Sequence, residues 1–523
     1  MDLKNISHIE KASRKTSQDV LRLGLGLLFL LGIMLFAFSL EGSGTVLVIS
    51  AVIGAYMAMN IGANDVANNV GPAVGSRTLT MFGALTIAAV FEAAGALIAG
   101  GEVVGTIRNG IIDPAGIADP DTFIWLMMAA LLAGAVWLNI ATAVGAPVST
   151  THSIVGAVLG AGIAAAGPGI ANWSTMGTIV LSWVISPILG AIVAAACLFI
   201  IKRRITYQTD MAQAAGRVVP LLIALMTWTF ATYVLLKGLN LIWNIDFLSA
   251  NLYGGLLGLA AYFITRPYIH RCAAGIPNTK QSVNQFFTVP LIFSAALLSF
   301  AHGSNDVANA IGPLAAIVDT LAHHGGIAST ASVPLWVMMI GALGISVGLC
   351  LFGPKLIRTV GSEITELDQM RAYCIAMAAA LTVIVASQMG LPVSSTHIAV
   401  GGVFGVGLLR EYLKKRYATM VAEIKDHHPE DDQDAIDAFL ARFEAASIDD
   451  KGRMLKDLKV RAKQQMDPAH FSKMERKGLR KVYKQELVKR SQMKRIAAAW
   501  VITVPASAVL AALFFYMIRG IQG

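Results

Sequence analysis

The sequence predicts an all-α polytopic membrane protein with a charged cytoplasmic helical insertion. It holds about 12–13 transmembrane helices, at roughly 20 apolar residues per crossing, arranged as an inverted-topology repeat. Three observations carry this. The first is composition: 55% of the 523 residues are hydrophobic and 14% are charged, against roughly 25% charged in a soluble domain. The mean hydropathy is +0.64. These values exclude a soluble globular chain and a disordered one. The second is a series of apolar runs of bilayer-crossing length. The third is a pair of motifs that each occur twice, in the same order.

The elements follow in order. The first twenty residues are polar and basic, with Lys4, Lys11, Arg14 and Lys15. The apolar stretch Leu23 to Leu40 is followed by no small-x-small cleavage pattern, so it predicts an uncleaved first helix with a cytoplasmic N-terminus. Further spans lie near 45–61, 78–100, 124–143, 148–166 and 178–201, and the basic run Lys202-Arg203-Arg204 comes next. Two helices near 219–237 and 245–264 precede a basic loop running from Arg266 through Arg271 to Lys280. Spans near 287–302, 332–353, 371–389 and 394–410 lead into a charged segment at 411–495, and a last helix lies near 497–517.

Counting crossings from a cytoplasmic start puts Lys202, Arg266 and the charged segment all inside, as the positive-inside rule asks. The C-terminus is then outside. The net charge of +9 therefore reflects cytoplasmic loops in a plasma (inner) membrane protein and calls for no nucleic-acid partner. Cys197, Cys272, Cys350 and Cys374 sit singly, with no metal or disulfide spacing. Within 411–495, the stretch Asp434 to Ser447 has helical spacing and 451–490 is basic. It reads as a solvated hairpin or as a lipid-headgroup-binding element.

The repeat sets the domain plan. Gly62-Ala-Asn64-Asp65-Val-Ala-Asn68 returns as Gly303-Ser-Asn305-Asp306-Val-Ala-Asn309, and Pro147-Val-Ser149-Thr150-Thr151-His152 returns as Pro392-Val-Ser394-Ser395-Thr396-His397. A weaker match links Trp183-Val-Ile-Ser186 to Trp500-Val-Ile-Thr503. We expect a tail and extra helix at 1–44, repeat 1 at 45–202, and a two-helix linker at 203–286. Repeat 2 spans 287–410, the insertion 411–495, and the last helix of repeat 2 lies at 496–523. Repeat 1 starts outside and repeat 2 inside, so the halves have opposite topology. That arrangement is characteristic of secondary transporters, which bind substrate at the midplane between repeats.

The motifs have a chemistry. An Asp at membrane depth costs several kcal/mol unless it is paired or wetted. Asp65 and Asp306, with Asn64, Asn68, Asn305 and Asn309, offer carboxylate and amide oxygens for a small hard cation. The following Gly71-Pro72 and Gly312-Pro313 are expected to break the helix and free backbone carbonyls. In the second motif, Ser149, Thr150, Thr151, Ser394, Ser395 and Thr396 sit at helix starts. Hydroxyls and free N–H groups there make an anion site without Lys or Arg, with ordinary capping by Ser149 and Ser394 as the alternative. An anion beside two Asp makes sense only with a cation, which points to symport. His152 and His397 read as packing residues or proton relays. Glu92 is either a coupling-ion ligand or the partner of Arg108.

These residues resemble the PiT family of inorganic phosphate transporters. Phe91-Glu92 and Gly105-Thr106-Ile107-Arg108 match its pattern as well, and the resemblance covers about 45–410 plus the last helix. It implies no enzyme activity and cation-driven phosphate uptake, with Asp65 and Asp306 shared between anion and cation. A sulfate or related oxyanion permease of the same fold is the alternative. No cofactor is implied beyond transported phosphate and a coupling cation, Na+ or H+, and a homodimer stays open. Many Na+-coupled members carry a Glu in the helix before the second Pro-Val-Ser motif. Ala376 stands there in this chain, which leaves the coupling ion open.

Overall fold

The computed structural model describes residues 3–40, 44–117, 119–237, 245–322, 333–363, 367–426 and 490–522. The stretch Asp434 to Ser447 and most of the charged insertion lie outside the described residues. The elements are helical, joined by short turns and one isolated bridge between Ile112 and Ala171. Among the described residues, eleven helices are long and apolar enough to cross a membrane.

Helix α1 (Leu3–Ser39) precedes the first repeat. That repeat comprises α2 (Thr45–Gly75), α3 (Met81–Ala99), short α4 (Gly101–Gly105) running into a π-turn (Thr106–Gly110), α5 (Pro120–Val144), α6 (Thr150–Ala166) and α7 (Trp173–Ile201). Helices α8 (Met211–Lys237) and α9 (Phe247–Ala274) form a hairpin, and short α10 (Lys280–Gln285) follows. The second repeat runs α11 (Thr288–Asp306), α12 (Ala308–Ala322), α13 (Leu335–Phe352), α14 (Pro354–Glu363), α15 (Gln369–Gln388), α16 (Ser395–Asp426) and α17 (Arg490–Gln522).

The repeats match element by element, α2 with α11–α12, α3 with α13, and α5 to α7 with α15 to α17. They also interlock. Helix α2 packs on α13, and α11 on α3. These contacts are backbone to backbone. A Cβ on Gly62 would collide with the Ile345 carbonyl, and one on Gly303 with the Glu92 carbonyl. Likewise Gly348 abuts Met59 and Gly95 abuts Phe300. Each pair maps onto the other when the repeats are superposed by motif, which is the signature of a pseudo-two-fold axis. Only glycine lets apolar helices approach this closely.

The outer helices swap sides. Gly156 and Gly160 of α6 lie against Val504 and Ala508 of α17, while Gly401 and Gly405 of α16 lie against Pro187 and Ala191 of α7. The register is the one set by Trp183 and Trp500, so the weakest of the three sequence matches is structural.

Three expectations are refined. Helix α2 continues through Pro72 to Gly75, and Pro313 lies inside α12. The Gly-Pro pairs therefore do not end their helices. The break falls at Val307, between α11 and α12. Proline still lacks an N–H, so the carbonyls of Asn68 and Asn309, four residues earlier, lose their helical donors. Arg266 and Arg271 lie on α9, which extends to Ala274, and not in a loop. Finally, α5 and α6 form a hairpin whose two ends lie side by side, since Asp113 N–H bonds Ile170 O and Asn172 N–H bonds Ile111 O.

Candidate functional site

Asn64, Asp65, Asn68 and Asn69 are buried on α2, and Asn305 and Asp306 are buried on the last turn of α11. Residues three apart share a helix face, so Asp65 and Asn68 point together. Asn309, at the start of α12, keeps that relation with Asp306 across the break, at 3.0 Å.

The hairpin tips meet these helices. Both α5 and α15 end at a left-handed glycine, Gly145 (φ 73°) and Gly390 (φ 64°). A non-glycine residue would be strained there. Each tip is braced by an asparagine. Asn64 donates to Thr142 Oγ1 (3.1 Å) and Ala146 O (3.4 Å) and accepts from Val148 N–H (3.2 Å). Asn305 donates to Ser387 Oγ (3.0 Å) and Leu391 O (3.3 Å).

The tips then cross the axis. Asp65 accepts hydroxyls from Thr150 (2.8 Å) and from Thr396 of the other repeat (3.0 Å). Asp306 accepts Ser395 (2.8 Å) and, from the other repeat, Thr151 (3.2 Å). Each carboxylate thus takes one hydroxyl from each hairpin. The amides close the ring: Asn68 donates to Thr396 (2.8 Å), and Asn309 to Thr150 (3.2 Å) and Thr151 (3.3 Å). Asp65, Asn68, Thr150, Thr151, Asp306, Asn309, Ser395 and Thr396, singled out in the sequence, form one buried cluster built from both repeats.

A residue that the motif reading passed over stands at the centre. His302 Nε2 lies 3.0 Å from Asp306 Oδ2 and 3.4 Å from Asp65 Oδ2. Its Nδ1 is 3.1 Å from Glu92 Oε2, at ion-pair distance but without hydrogen-bond alignment. Glu92 Oε1 accepts from Asn69 at 2.7 Å. Asp65, His302 and Asp306 offer three ligand atoms within 4.8 Å of one another. The signal for His302 was a polarity mismatch between repeats, where the position before Gly62 is Ile61.

Other candidates fall differently. Ser149 Oγ accepts from His152 N–H (3.1 Å) and Ser394 Oγ from His397 N–H (3.2 Å). Both serines therefore cap α6 and α16, the alternative the sequence left open. Glu92 does not pair with Arg108, which forms a buried ion pair with Asp319 of α12. His152 packs at a tilt on Trp183 at 3.8 Å, His397 stacks on Trp500 at 3.6 Å, and the two imidazoles meet edge-on at 4.3 Å. That is ring packing behind the hydroxyl cluster.

The cluster is rich in acceptors. Asn68 Oδ1, Asn309 Oδ1, Asn69 Oδ1 and Glu92 Oε2 are buried without hydrogen-bond partners. Buried polar atoms are nearly always satisfied, and these oxygens lie near two Asp carboxylates and two carbonyls relieved of their helical donors. Such a set suits a hard cation. Four hydroxyls at the starts of two helices suit an oxyanion.

Comparison with known proteins agrees in kind. Residues 61–511 match the model of the phosphate transporter family, PHO4. A protein of Helicobacter pylori (strain ATCC 700392 / 26695) named "Putative phosphate permease" is 51% identical, over 100% of this chain and 99% of its own. A protein of the same name from Haemophilus influenzae is 39% identical, over 69% of this chain and 87% of its own. A solved structure titled "The sodium-dependent phosphate transporter" superposes with a TM-score of 0.73 and 29% identity, covering 91% of this chain and 99% of that one.

Proposed function

Because the chain belongs to the phosphate transporter family, we propose that it carries inorganic phosphate across the membrane by symport with a cation, at the cluster on the pseudo-two-fold axis. The observation that carries this reading is the crossed pairing of Asp65 with Thr396 and of Asp306 with Thr151. A site shared by both repeats is the one place that either side can reach by rocking one repeat against the other.

In this reading phosphate takes the hydroxyls of Thr150, Thr151, Ser395 and Thr396. A protonated phosphate oxygen can donate to Asp65 or Asp306, which sulfate at neutral pH cannot do. The cation takes the carboxylates with the Asn68 and Asn309 oxygens. Asn64 and Asn305 serve as braces of the hairpins, and Glu92 acts through His302 and Asn69. The sodium-dependent title of the structural relative supports Na+ as the ion. The His302–Glu92 pair is the feature that would favour H+ instead. The N-terminus and the basic loops are cytoplasmic in this reading, in the plasma membrane.

Counterflow in proteoliposomes tests the substrate. Vesicles loaded with phosphate should accumulate labelled phosphate transiently, and a large excess of external sulfate should leave that peak intact. Collapse of the peak by sulfate would favour the oxyanion-permease alternative.

A further inference from the structure

Tyr233 lies on α8, outside both repeats, and is buried. Helix α8 packs chiefly on α9, yet the Tyr233 ring sits edge-on to Phe300 of α11, at 5.9 Å, and Phe230 does the same at 5.6 Å. The Tyr233 hydroxyl meets Ser304 Oγ. Ser304 Oγ in turn lies 2.8 Å from the carbonyl of Ala301. A carbonyl only accepts, so when Ser304 donates to Ala301 it is Tyr233 that donates to Ser304. The result is a directed chain, Tyr233 O–H to Ser304 O–H to Ala301 O.

Its placement is specific. Ser304 immediately precedes Asn305 and Asp306, on the turn where α11 stops. The matching residue in repeat 1 is Ala63, in the unbroken α2. A hydroxyl clamp is therefore found in the repeat whose motif helix breaks at Val307, and the continuous helix has none at the matching position. A helix end that has lost its onward hydrogen-bond ladder needs another constraint to fix its side chains.

We propose that Tyr233 is a positioning residue for the transport site: α8 holds the last turn of α11 and so sets the orientation in which Asp306 meets Thr151 and Ser395. The α8–α9 hairpin is then a working part of the carrier and not a spacer between repeats. This rests on the reading of Asp306 as part of the phosphate and cation site.

Two measurements test it. The first is phosphate KM and maximal rate in proteoliposomes for Tyr233→Phe, Ser304→Ala and the double variant. Tyr233→Phe keeps the ring and its packing, so loss of the hydroxyl's bond to Ser304 should raise KM about 3- to 10-fold with the maximal rate near wild type. Ser304→Ala should do the same, and the double variant should be no worse than the worse single. The second needs no ligand: amide hydrogen exchange over 303–309 should quicken in Tyr233→Phe, while exchange over 62–69 stays as in wild type. Unchanged KM, a fall in maximal rate alone, additive losses in the double variant, or unaltered exchange over 303–309 would each overturn the clamp. If wild type fails to accumulate phosphate, the symport reading falls, and the exchange measurement still decides the clamp.

Discussion

His302 occupies in the second repeat the position that Ile61 occupies in the first. One step away on the same axis, Glu92 of α3 corresponds to Ile345 of α13, as the glycine contacts of Gly95 and Gly348 establish. His302 and Glu92, 3.1 Å apart, are therefore a coupled pair that breaks the two-fold symmetry. The symmetric places hold two buried isoleucines.

This pairing makes a prediction. His302→Ile removes the one buried base among Asp65, Asp306 and Glu92 and should cost about 3–5 kcal/mol, as for a broken buried ion pair. His302→Ile with Glu92→Ile copies the arrangement of Ile61 and Ile345 and should recover most of that stability without recovering wild-type cation dependence. Thermal unfolding in detergent checks the first part, and cation-dependent uptake checks the second. Equal destabilisation in the single and double variants would contradict the coupling.

Asp65→Asn and Asp306→Asn should each abolish concentrative uptake while the protein still reaches the membrane. Both carboxylates are buried, and the two hydroxyls at each bond different oxygens; an amide keeps one acceptor oxygen for one hydroxyl, and its NH2 donates to the other hydroxyl oxygen. The fold should thus tolerate the change better than the chemistry does. Surface quantity by immunoblot and uptake of labelled phosphate are read together, and wild-type accumulation by either variant would remove that Asp from the cation site.

The hydroxyls divide into two kinds. Thr151→Ala and Thr396→Ala delete donors to buried carboxylates across the axis, an interaction worth roughly 1.5–3 kcal/mol when one partner is charged, and should raise phosphate KM by about tenfold or more. Ser149→Ala and Ser394→Ala delete helix caps, worth about 1 kcal/mol each. They should lower the unfolding temperature with KM unchanged. A KM shift in the cap variants equal to that in the threonine variants would erase the distinction.

Much of this was legible in the sequence, for a physical reason. Asp65 and Asp306 at membrane depth, and hydroxyl runs at helix starts, are costly outside a site, so their duplication stands out against apolar surroundings. The cross-axis partners were not legible. Thr396 reaches Asp65 because α6 packs on α17 and α16 on α7, a swap set by backbone approach at Gly156, Gly160, Gly401 and Gly405. Proximity in sequence suggests Arg108 as a partner for Glu92. In the fold α3 presents Glu92 to His302 and Asn69, while Arg108, past the end of α3, reaches Asp319. Helix continuity through Pro72 was hidden because proline only removes one donor near a helix end that neighbouring helices already fix.

The Arg108–Asp319 pair joins the π-turn of repeat 1 to α12 of repeat 2. Arg108→Ala should destabilise the protein by about 3–5 kcal/mol by stripping a partner from a buried carboxylate. Arg108→Ala with Asp319→Ala should be milder than either single change, by removing both charges together. A double-mutant cycle on unfolding temperature tests this, and simple additivity would show that the two side chains do not act as a pair.

The central claim is coupled movement of phosphate and a cation through one shared site. Purified wild-type protein in proteoliposomes should accumulate labelled phosphate above its external concentration when an inward Na+ gradient or an inward proton gradient is imposed. Accumulation should vanish when the driving gradient is collapsed with an ionophore, or when Na+ is replaced by choline if Na+ is the driver. Equilibration without accumulation under both gradients would contradict symport and leave a facilitated exchanger.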